Sequence, residues 1–284
     1  MSKVSSSLLS NPLGKLAFKL AQPIVHRVRL ARHPELPVNQ MVTSAEYRGR
    51  TFAIRHRRWN EADAAAVVQC FNEAQYDFPR GAHGEYLDRV YQEIVSSGRA
   101  PLIVDCGANI GASVLWFLAR YPQAHVVAIE PAPDNFALLR SNCEKFNVDL
   151  RQAAIAAEEG SAYLASRIND MGFYITSEVT GQQIKLISIS SILKDKPDTE
   201  YVPFLLKVDI EGAESILFSD GISSLQSFPL IIIEPHDWLL PGQGSSLAFF
   251  RFHADMKREF CMKSENVGSI AMRPTSSGSG NISI

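Results

Sequence analysis

The chain has 284 residues, of which 46% are hydrophobic, and its formal net charge at pH 7 is −2. This length and composition suit one large domain, or a domain with an appendage, and the charge gives no electrostatic reason to expect a nucleic acid as a partner. No stretch approaches the roughly 18 consecutive apolar residues that a membrane span requires, and the scattered Cys70, Cys106, Cys143 and Cys261 favour reduced thiols in a cytoplasmic protein.

The first forty residues are basic and contain Glu35 as their single acid. The basic side chains are Lys3, Lys15, Lys19, Arg27, Arg29 and Arg32. Their spacing among apolar residues predicts two short amphipathic helices, over 13–22 and 24–32, that are broken at Pro23. We expect an arm that packs on the domain or a mobile tail, with peripheral contact to a membrane surface as the alternative.

A hairpin and two helices are predicted after this arm. Alternating residues over 41–56 flank a turn at 48–50, which is typical of a β-hairpin. Asn60 is the predicted N-cap of the first helix, and the second helix is expected over 85–97.

The loop between these helices contains Tyr76 and Phe78. Its aromatic side chains either close over a ligand or only pack the loop onto the domain. We expect residues 1–98 to form an arm, a hairpin and helices that cap the substrate, and residues 99–284 to form the main domain.

The stretch 102–113, LIVDCGANIGAS, predicts a strand, a tight turn and a helix. A continuous apolar run closes on Asp105, as in a buried parallel strand, and Gly107 and Gly111 then permit the turn. The dinucleotide fingerprint G-x-G-x-x-G is not met, because Asn109 stands where its second glycine should be. The turn therefore suits a ligand with an amino acid end and a nucleoside end better than a pyrophosphate.

A second apolar strand, 125–129, ends at Glu130, which lies 25 residues after Asp105. An acid at this position can accept hydrogen bonds from ribose hydroxyls. The two strand ends together predict an open α/β sheet with a ligand over the carboxyl end of its first strand. The alternative is an ordinary βαβ crossover without a ligand.

The rest of the chain continues to alternate strands and helices. We expect a third core strand at 149–153, an inserted or edge hairpin within 160–188, further core strands at 204–208 and 230–233, a helix from 246 to about 260, and a weak strand near Cys261.

Polar residues follow the fourth and fifth core strands, at the sheet edge where substrates bind. Lys207, Asp209 and Glu211 cluster at the end of one strand, and Glu234 and His236 cluster at the end of the next. Asp209 or His236 is the predicted general base, because neighbouring parallel strands bring such groups within reach of one cleft.

Two alternatives apply to these acids. Glu211 and Glu214 also suit the first turn of a helix, where acids complement the helix dipole, and for Glu214 we favour that role. Asp209, Glu211, Glu234 and His236 are a possible set of ligands for a divalent ion, but hard cations usually bind more closely clustered carboxylates, so we expect no metal.

Five segments in this order, VDCGANIGAS, VVAIEPAPDNFALLRSNC, AAIAAEEGSAYL, LLKVDIEGAE and IIIEPH, resemble the FkbM family of S-adenosylmethionine-dependent methyltransferases. The resemblance covers about residues 100 to 240. It implies an α/β fold with a Rossmann-like, seven-stranded class I methyltransferase sheet that has helices on both faces. It also implies that the last strand is antiparallel and is formed by 281–284; without the resemblance, that segment is equally consistent with a frayed tail.

The resemblance also implies site residues. S-adenosylmethionine would contact Asp105, Gly107, Ala108, Asn109, Gly111, Ser113, Glu130, Pro131, Asn135 and Ala154. The methionine end would lie on the glycine turn, the ribose at Glu130 and the adenine near Ala154. The catalytic residues would be Asp209, His236, Glu211 and Lys207.

The expected activity is O-methylation of a hydroxyl on a sugar, glycan or polyketide-type small molecule. A nicotinamide-dependent oxidoreductase and a non-catalytic nucleotide-binding protein remain the alternatives. The acceptor's identity and regiochemistry and the oligomeric state stay open at this point.

Overall fold

The computed structural model describes residues 29–31, 37–78, 81–166, 173–176, 181–210, 214–220, 222–239 and 241–272. Three predicted features lie outside these residues: the helix over 13–22, the strand at 281–284 and the position of Glu211. Among the described residues, no helix is long and apolar enough to cross a membrane. The four cysteines are free thiols, as expected.

The described chain begins with a small antiparallel sheet followed by two helices. These elements are β1 (Arg29–Ala31), β2 (Gln40–Tyr47), β3 (Arg50–Arg57), α1 (Glu61–Phe71) and α2 (Ala82–Ser96).

The predicted hairpin is confirmed, with positive φ angles at Arg48 and Gly49 in its turn. The predicted helix over 24–32 is wrong at its end, because 29–31 pair with 42–44 as a strand. In the sequence, arginines alternate with apolar residues over 27–30, and a two-residue period is typical of a strand.

The main domain then alternates strands and helices. In chain order it contains β4 (Ala100–Cys106), α3 (Ala112–Arg120), β5 (His125–Ile129), α4 (Pro133–Cys143), β6 (Val148–Arg151), β7 (Ala154–Ile155), β8 (Gly160–Ser166), β9 (Phe173–Thr176), β10 (Gln182–Ile187), α5 (Ile189–Lys194), β11 (Tyr201–Val208), α6 (Glu214–Asp220), α7 (Ile222–Leu225), β12 (Leu230–Ile233), α8 (Leu247–Asp255), β13 (Glu259–Lys263) and β14 (Asn266–Ile270).

Seven of these strands form one sheet in the order β13-β14-β12-β11-β4-β5-β6. The five strands from β12 to β6 are parallel, and β14 runs antiparallel to both β12 and β13. This sheet confirms the expected fold class. The strands β7, β10, β8 and β9 form a separate sheet, which contains the predicted hairpin as β8 and β10.

The antiparallel strand is Asn266–Ile270, and the prediction that gave its place to 281–284 is corrected. The sequence NVGSI has a glycine and polar residues and so gives a weak strand signal. Gly268 is required by packing, because a Cβ there would lie 2.9 Å from the ring of Phe78 and 3.0 Å from the sulfur of Cys261.

The N-terminal elements share a hydrophobic core with the sheet. Phe52 and Phe71 belong to the same buried cluster as Ile103 and Val126 of the sheet and Trp116 of α3. A domain boundary between residues 98 and 99 stays a prediction, since this core continues across it.

Asp63 fixes the hairpin to α1. Its buried carboxylate accepts hydrogen bonds from the backbone N–H of Arg57 at 2.8 Å and from its Nε at 2.9 Å. Asn60 caps the same helix, as predicted, by accepting from the N–H of Asp63.

Asp63→Ala should lower the free energy of unfolding by about 1.5 to 3 kcal/mol, the size of a lost charge-assisted hydrogen bond to a buried group. Urea denaturation measures this loss. The matched control is Glu61→Ala, which removes an exposed acid from the same helical turn and should cost far less. Equal losses in the two variants would contradict the structural role of Asp63.

Candidate active site

The turn after β4 is pressed against the end of β11. Gly107 has φ +84°, and a Cβ at this position would lie 1.9 Å from the carbonyl oxygen of Asp209. Only glycine fits there without moving the backbone. The N–H of Asp209 in turn donates to the carbonyl of Cys106 at 3.1 Å, so the two strand ends are fixed to each other.

The N–H groups of this turn are used inside the protein. Gly107 and Ala108 both donate to the carbonyl of Ile129, at 3.0 and 2.9 Å, and the N–H of Asn109 donates to Oε2 of Glu130 at 2.9 Å. A dinucleotide site needs such groups directed at a pyrophosphate. Their occupation weighs against the nicotinamide alternative.

Lys207 is a buried cation held between two carboxylates. Its Nζ lies 3.2 Å from Oδ1 of Asp105 and 3.2 Å from Oδ2 of Asp209, and it donates to the carbonyl of Gly107 at 2.7 Å. Burial lowers the pKa of Lys207, but the charges around it, Asp105 first, raise that pKa well above its ordinary value. Lys207 therefore stays charged and fixes the position of Asp209.

Asp105 is a buried acid that contacts both Lys207 and Ser113. Its side chain is fully buried, and Oδ2 accepts from the hydroxyl of Ser113 at 2.6 Å. The acid that ends β4 thus ties Lys207 of β11 to the first turn of α3.

His236 faces three carboxylates. Its Nδ1 lies 2.7 Å from Oε1 of the fully buried Glu214, and its Nε2 lies 3.7 Å from Oδ1 of Asp209 and 3.6 Å from Oε1 of Glu234. Burial lowers the pKa of His236, but the hydrogen bond that its ring donates to Glu214 and the nearby negative charges outweigh burial and raise that pKa to about 9.

The pKa of Glu234 is raised to about 8 by burial and by the charge of Asp209. At neutral pH His236 is therefore protonated and Glu234 holds a proton for much of the time. A histidine that already carries a proton cannot take another, so Asp209 is the better placed base of the pair.

Two clefts open at this edge of the sheet. The first has a volume of about 690 Å³ and is lined by Gly107, Asn109, Ile129, Glu130, Pro131, Asn135, Ala153, Ala154, Ile155, Leu164, Asp209 and Ile210. The second has a volume of about 980 Å³, and its polar lining includes Gln69, Gln75, Lys207, Asp209, Glu234, His236 and Glu265. Gly107, Asn109 and Asp209 line both clefts.

Glu130 forms the charged wall of the first cleft. Oε2 accepts from Asn109 N–H, and Oε1 accepts from Ala132 N–H at 2.9 Å and from the amide of Asn135 at 3.3 Å. Burial raises the pKa of Glu130 to about 7, against the effect of these donors. Because a carboxylate has about four acceptor sites, Oε2 keeps one for a ligand.

The structure distributes the predicted cofactor residues unevenly. The first cleft is lined by six of them: Gly107, Asn109, Glu130, Pro131, Asn135 and Ala154. Ala108 and Ser113 line the second cleft. Asp105 and Gly111 line neither cleft. Asp105 forms an ion pair with Lys207, and Gly111, with φ +89°, is the N-cap residue that precedes α3.

The predicted catalytic residues Lys207, Asp209 and His236 do lie together. Sequence reasoning missed the role of Glu214, which was assigned to the helix dipole. Glu214 does stand in the first turn of α6, but its side chain also contacts His236 from the next strand end, and only the fold reveals that contact. Tyr76 is buried against Trp116 and Phe117 and also lines the second cleft.

Residues 105–262, more than half of the chain, match the family model for the methyltransferase FkbM domain. The chain belongs to the FkbM methyltransferase family. This match confirms the family expected from the motifs, which is a family of S-adenosylmethionine-dependent methyltransferases.

The individual relatives are distant. Methyltransferase 1 from Beauveria bassiana is 29% identical, with 45% of this chain and 61% of the relative aligned. A hexuronic acid methyltransferase, AglP, from Haloferax volcanii is 28% identical over 50% of this chain and 59% of its own length. The chain thus spans about 60% of the length of these curated relatives.

An O-methyltransferase from Bacillus cereus, solved in complex with SAH, aligns with 74% of this chain and 91% of its own, at 13% identity and a TM-score of 0.36. The assignment of the fold rests on the strand order given above and not on this similarity.

The pairing of Glu214 with His236 can be tested alone. Glu214→Gln should lower the pKa of His236 from about 9 towards the ordinary histidine value of about 6.5, because the charged hydrogen-bond partner is lost. NMR titration of the His236 ring signals measures the change. Glu73→Gln, which removes an exposed carboxylate, is the control; an unchanged pKa in Glu214→Gln would contradict the pairing.

Proposed function

We propose that this protein transfers a methyl group from S-adenosylmethionine to a hydroxyl of a sugar, glycan or polyketide-type small molecule. The observation that carries this proposal is the junction of the two clefts. Gly107, Asn109 and Asp209 line both, so a donor in the first cleft and an acceptor in the second would meet beside the carboxylate of Asp209.

The first cleft fits the cofactor chemically. Glu130 keeps an acceptor site for a ribose hydroxyl, and Ile129, Ile155 and Leu164 offer apolar surface to an adenine. The turn N–H groups are already bonded, which suits a ligand without phosphates. When bound there, S-adenosylmethionine supplies a methyl group on a positively charged sulfur.

The second cleft fits a polyhydroxylated acceptor. Gln69, Gln75 and the carboxylates offer hydrogen-bond partners for several hydroxyls. Trp238 lines the same cleft and is 66% exposed, so its ring is available to cover an apolar face of a sugar or polyketide. The relative described as a hexuronic acid methyltransferase supports a sugar-type acceptor.

Asp209 would accept the proton of the attacking hydroxyl as the new bond between oxygen and the methyl carbon forms and the bond between sulfur and that carbon breaks. Lys207 fixes Oδ2 of Asp209, and the protonated His236 lies near Oδ1. These two cations orient the carboxylate without taking the proton themselves.

Cofactor binding should depend on the charge of Glu130. Ribose hydroxyls donate to the ionised carboxylate, so affinity for S-adenosylmethionine should be full above pH 7 and fall as pH drops below the Glu130 pKa of about 7. Glu130→Gln should weaken binding at pH 8 by about tenfold or more, from the loss of a charge-assisted bond, and should flatten the pH dependence.

Isothermal titration at several pH values measures both effects, and a melting curve of Glu130→Gln checks that the variant is folded. Equal affinity in the parent and a folded variant would refute the ribose role.

Turnover should depend on Asp209. With labelled S-adenosylmethionine and a panel of hydroxyl acceptors, the parent should methylate at least one, and Asp209→Asn should reduce kcat by about 10² to 10⁴, the size expected for a lost general base. Its affinity for the cofactor should stay within about twofold.

The control is Asp255→Asn, which removes an exposed carboxylate at the end of α8. Full activity of Asp209→Asn would show that Asp209 does not act as the general base. Binding of NAD in place of S-adenosylmethionine would instead favour the oxidoreductase alternative.

A further inference from the structure

Three side chains that follow β11 and β12 bring one possible ligand atom each close together. Asp209, Glu234 and His236 have ligand atoms that all lie within 4.8 Å of one another. The set contains two carboxylates and one imidazole, which are ligand types that divalent cations of the first transition row accept.

The spacing of these atoms fits an ion better than hydrogen bonds. Nε2 of His236 lies 3.7 Å from Oδ1 of Asp209 and 3.6 Å from Oε1 of Glu234, whereas a hydrogen bond would bring them to about 2.7 to 3.2 Å. Ligands placed roughly 2.1 to 2.2 Å from a tetrahedral ion are separated by about 3.4 to 3.6 Å. The two distances from Nε2 are therefore close to the separation that a bound cation would produce, and the third pair of atoms lies within 4.8 Å.

His236 is oriented as a metal-binding histidine would be. Its side chain is 96% buried, its Nδ1 is bonded to Glu214, and its Nε2 makes no hydrogen bond to the described residues while it faces Asp209 and Glu234. A carboxylate on the far ring nitrogen is the usual support of a histidine ligand. Lys207 holds the other oxygen of Asp209, which leaves Oδ1 for the cluster.

Charge at the cluster is not balanced within the protein. Asp105 is paired with Lys207, and Glu214 is paired with His236. Asp209 and Glu234 share these same two cations and have no further cation among the described residues.

We propose that Asp209, Glu234 and His236 form a binding site for a divalent cation that opens to the second cleft. In the metal-bound form, Nε2 of His236 and the carboxyl of Glu234 would have released their protons to solvent, because only the deprotonated groups bind a cation. The role of the cation, which rests on the proposed function, would be to attract the acceptor hydroxyl and make that hydroxyl more acidic. This assignment reverses the expectation of no metal drawn from residue types alone, because the fold brings the three donors closer together than the sequence implied.

The test of the site uses Mn²⁺ alone, without S-adenosylmethionine or acceptor. The full chain is stripped with a chelator, dialysed and titrated with Mn²⁺ by calorimetry, with the electron paramagnetic resonance signal of free Mn²⁺ as a second measurement. The parent should bind one ion, and Glu234→Gln should bind it at least tenfold more weakly.

Glu265→Gln is the matched control. It removes the same charge from the same cleft, but Glu265 lies outside the three-residue cluster and accepts from Gln69 at 2.8 Å. This variant should bind Mn²⁺ as the parent does. Asp209→Asn provides a second test of the cluster, and melting curves identify any variant that fails to fold.

Absence of binding in the parent would overturn the site, as would equal weakening in Glu234→Gln and Glu265→Gln, which would indicate only a diffuse negative potential. The role is tested separately, by methyl transfer with and without chelator. Full turnover in chelator would overturn the role of the cation and leave the proposed function intact. Failure to bind S-adenosylmethionine would overturn the proposed function, whatever the result with Mn²⁺.

Discussion

The buried ammonium of Lys207 is the interaction on which the rest of the site depends. It contacts Asp105 at the end of β4, Asp209 after β11 and the carbonyl of Gly107 in the turn between β4 and α3. A lysine that is 2% exposed is stable only with such partners, because an unpaired charge in the interior is very costly. One cation thus holds two strand ends and a turn in a fixed relation.

A steric constraint at Gly107 also fixes these two strand ends to each other. The carbonyl of Asp209 occupies the space where a side chain on residue 107 would begin, so the turn after β4 and the start of the segment after β11 interlock. The same turn directs its N–H groups to Ile129 and Glu130 at the end of β5. Three neighbouring strand ends are therefore joined through main-chain atoms before any ligand is considered.

Much of this architecture can be predicted from the sequence, because buried parallel strands give continuous apolar runs. The strands that contain Leu102, Val126, Leu205 and Ile231 all have this pattern and were predicted close to their observed positions. The strand around Gly268 was missed because it lacks an apolar run. Its glycine is required by close contact with Phe78 and Cys261, which lie at other positions in the chain.

The residues of the site also divide into some that the sequence predicts and some that it does not. Lys207, Asp209 and His236 could be identified because each lies at or just after the end of an apolar strand, and position at a strand end is a local signal. The contact between Glu214 and His236 could not be predicted. The two residues are 22 positions apart, and Glu214 belongs to a helix whose direction the sequence does not determine. Glu211 remains a prediction from the sequence.

The distribution of charge between the two clefts bears on how methyl transfer would be favoured. In the proposed reaction, positive charge leaves the sulfur of the donor and passes to the acceptor oxygen and its proton. Carboxylates around the sulfur would stabilise the starting state and so oppose the reaction, whereas carboxylates around the acceptor stabilise the charge as it develops. The first cleft has only Glu130 and Asp209 as acids among its lining residues, and the second has Asp209, Glu234 and Glu265. The second cleft also contains the cations of Lys207 and His236, which offset part of this negative charge. The developing positive charge on the acceptor is therefore met chiefly by one carboxylate, that of Asp209 at the boundary of the two clefts.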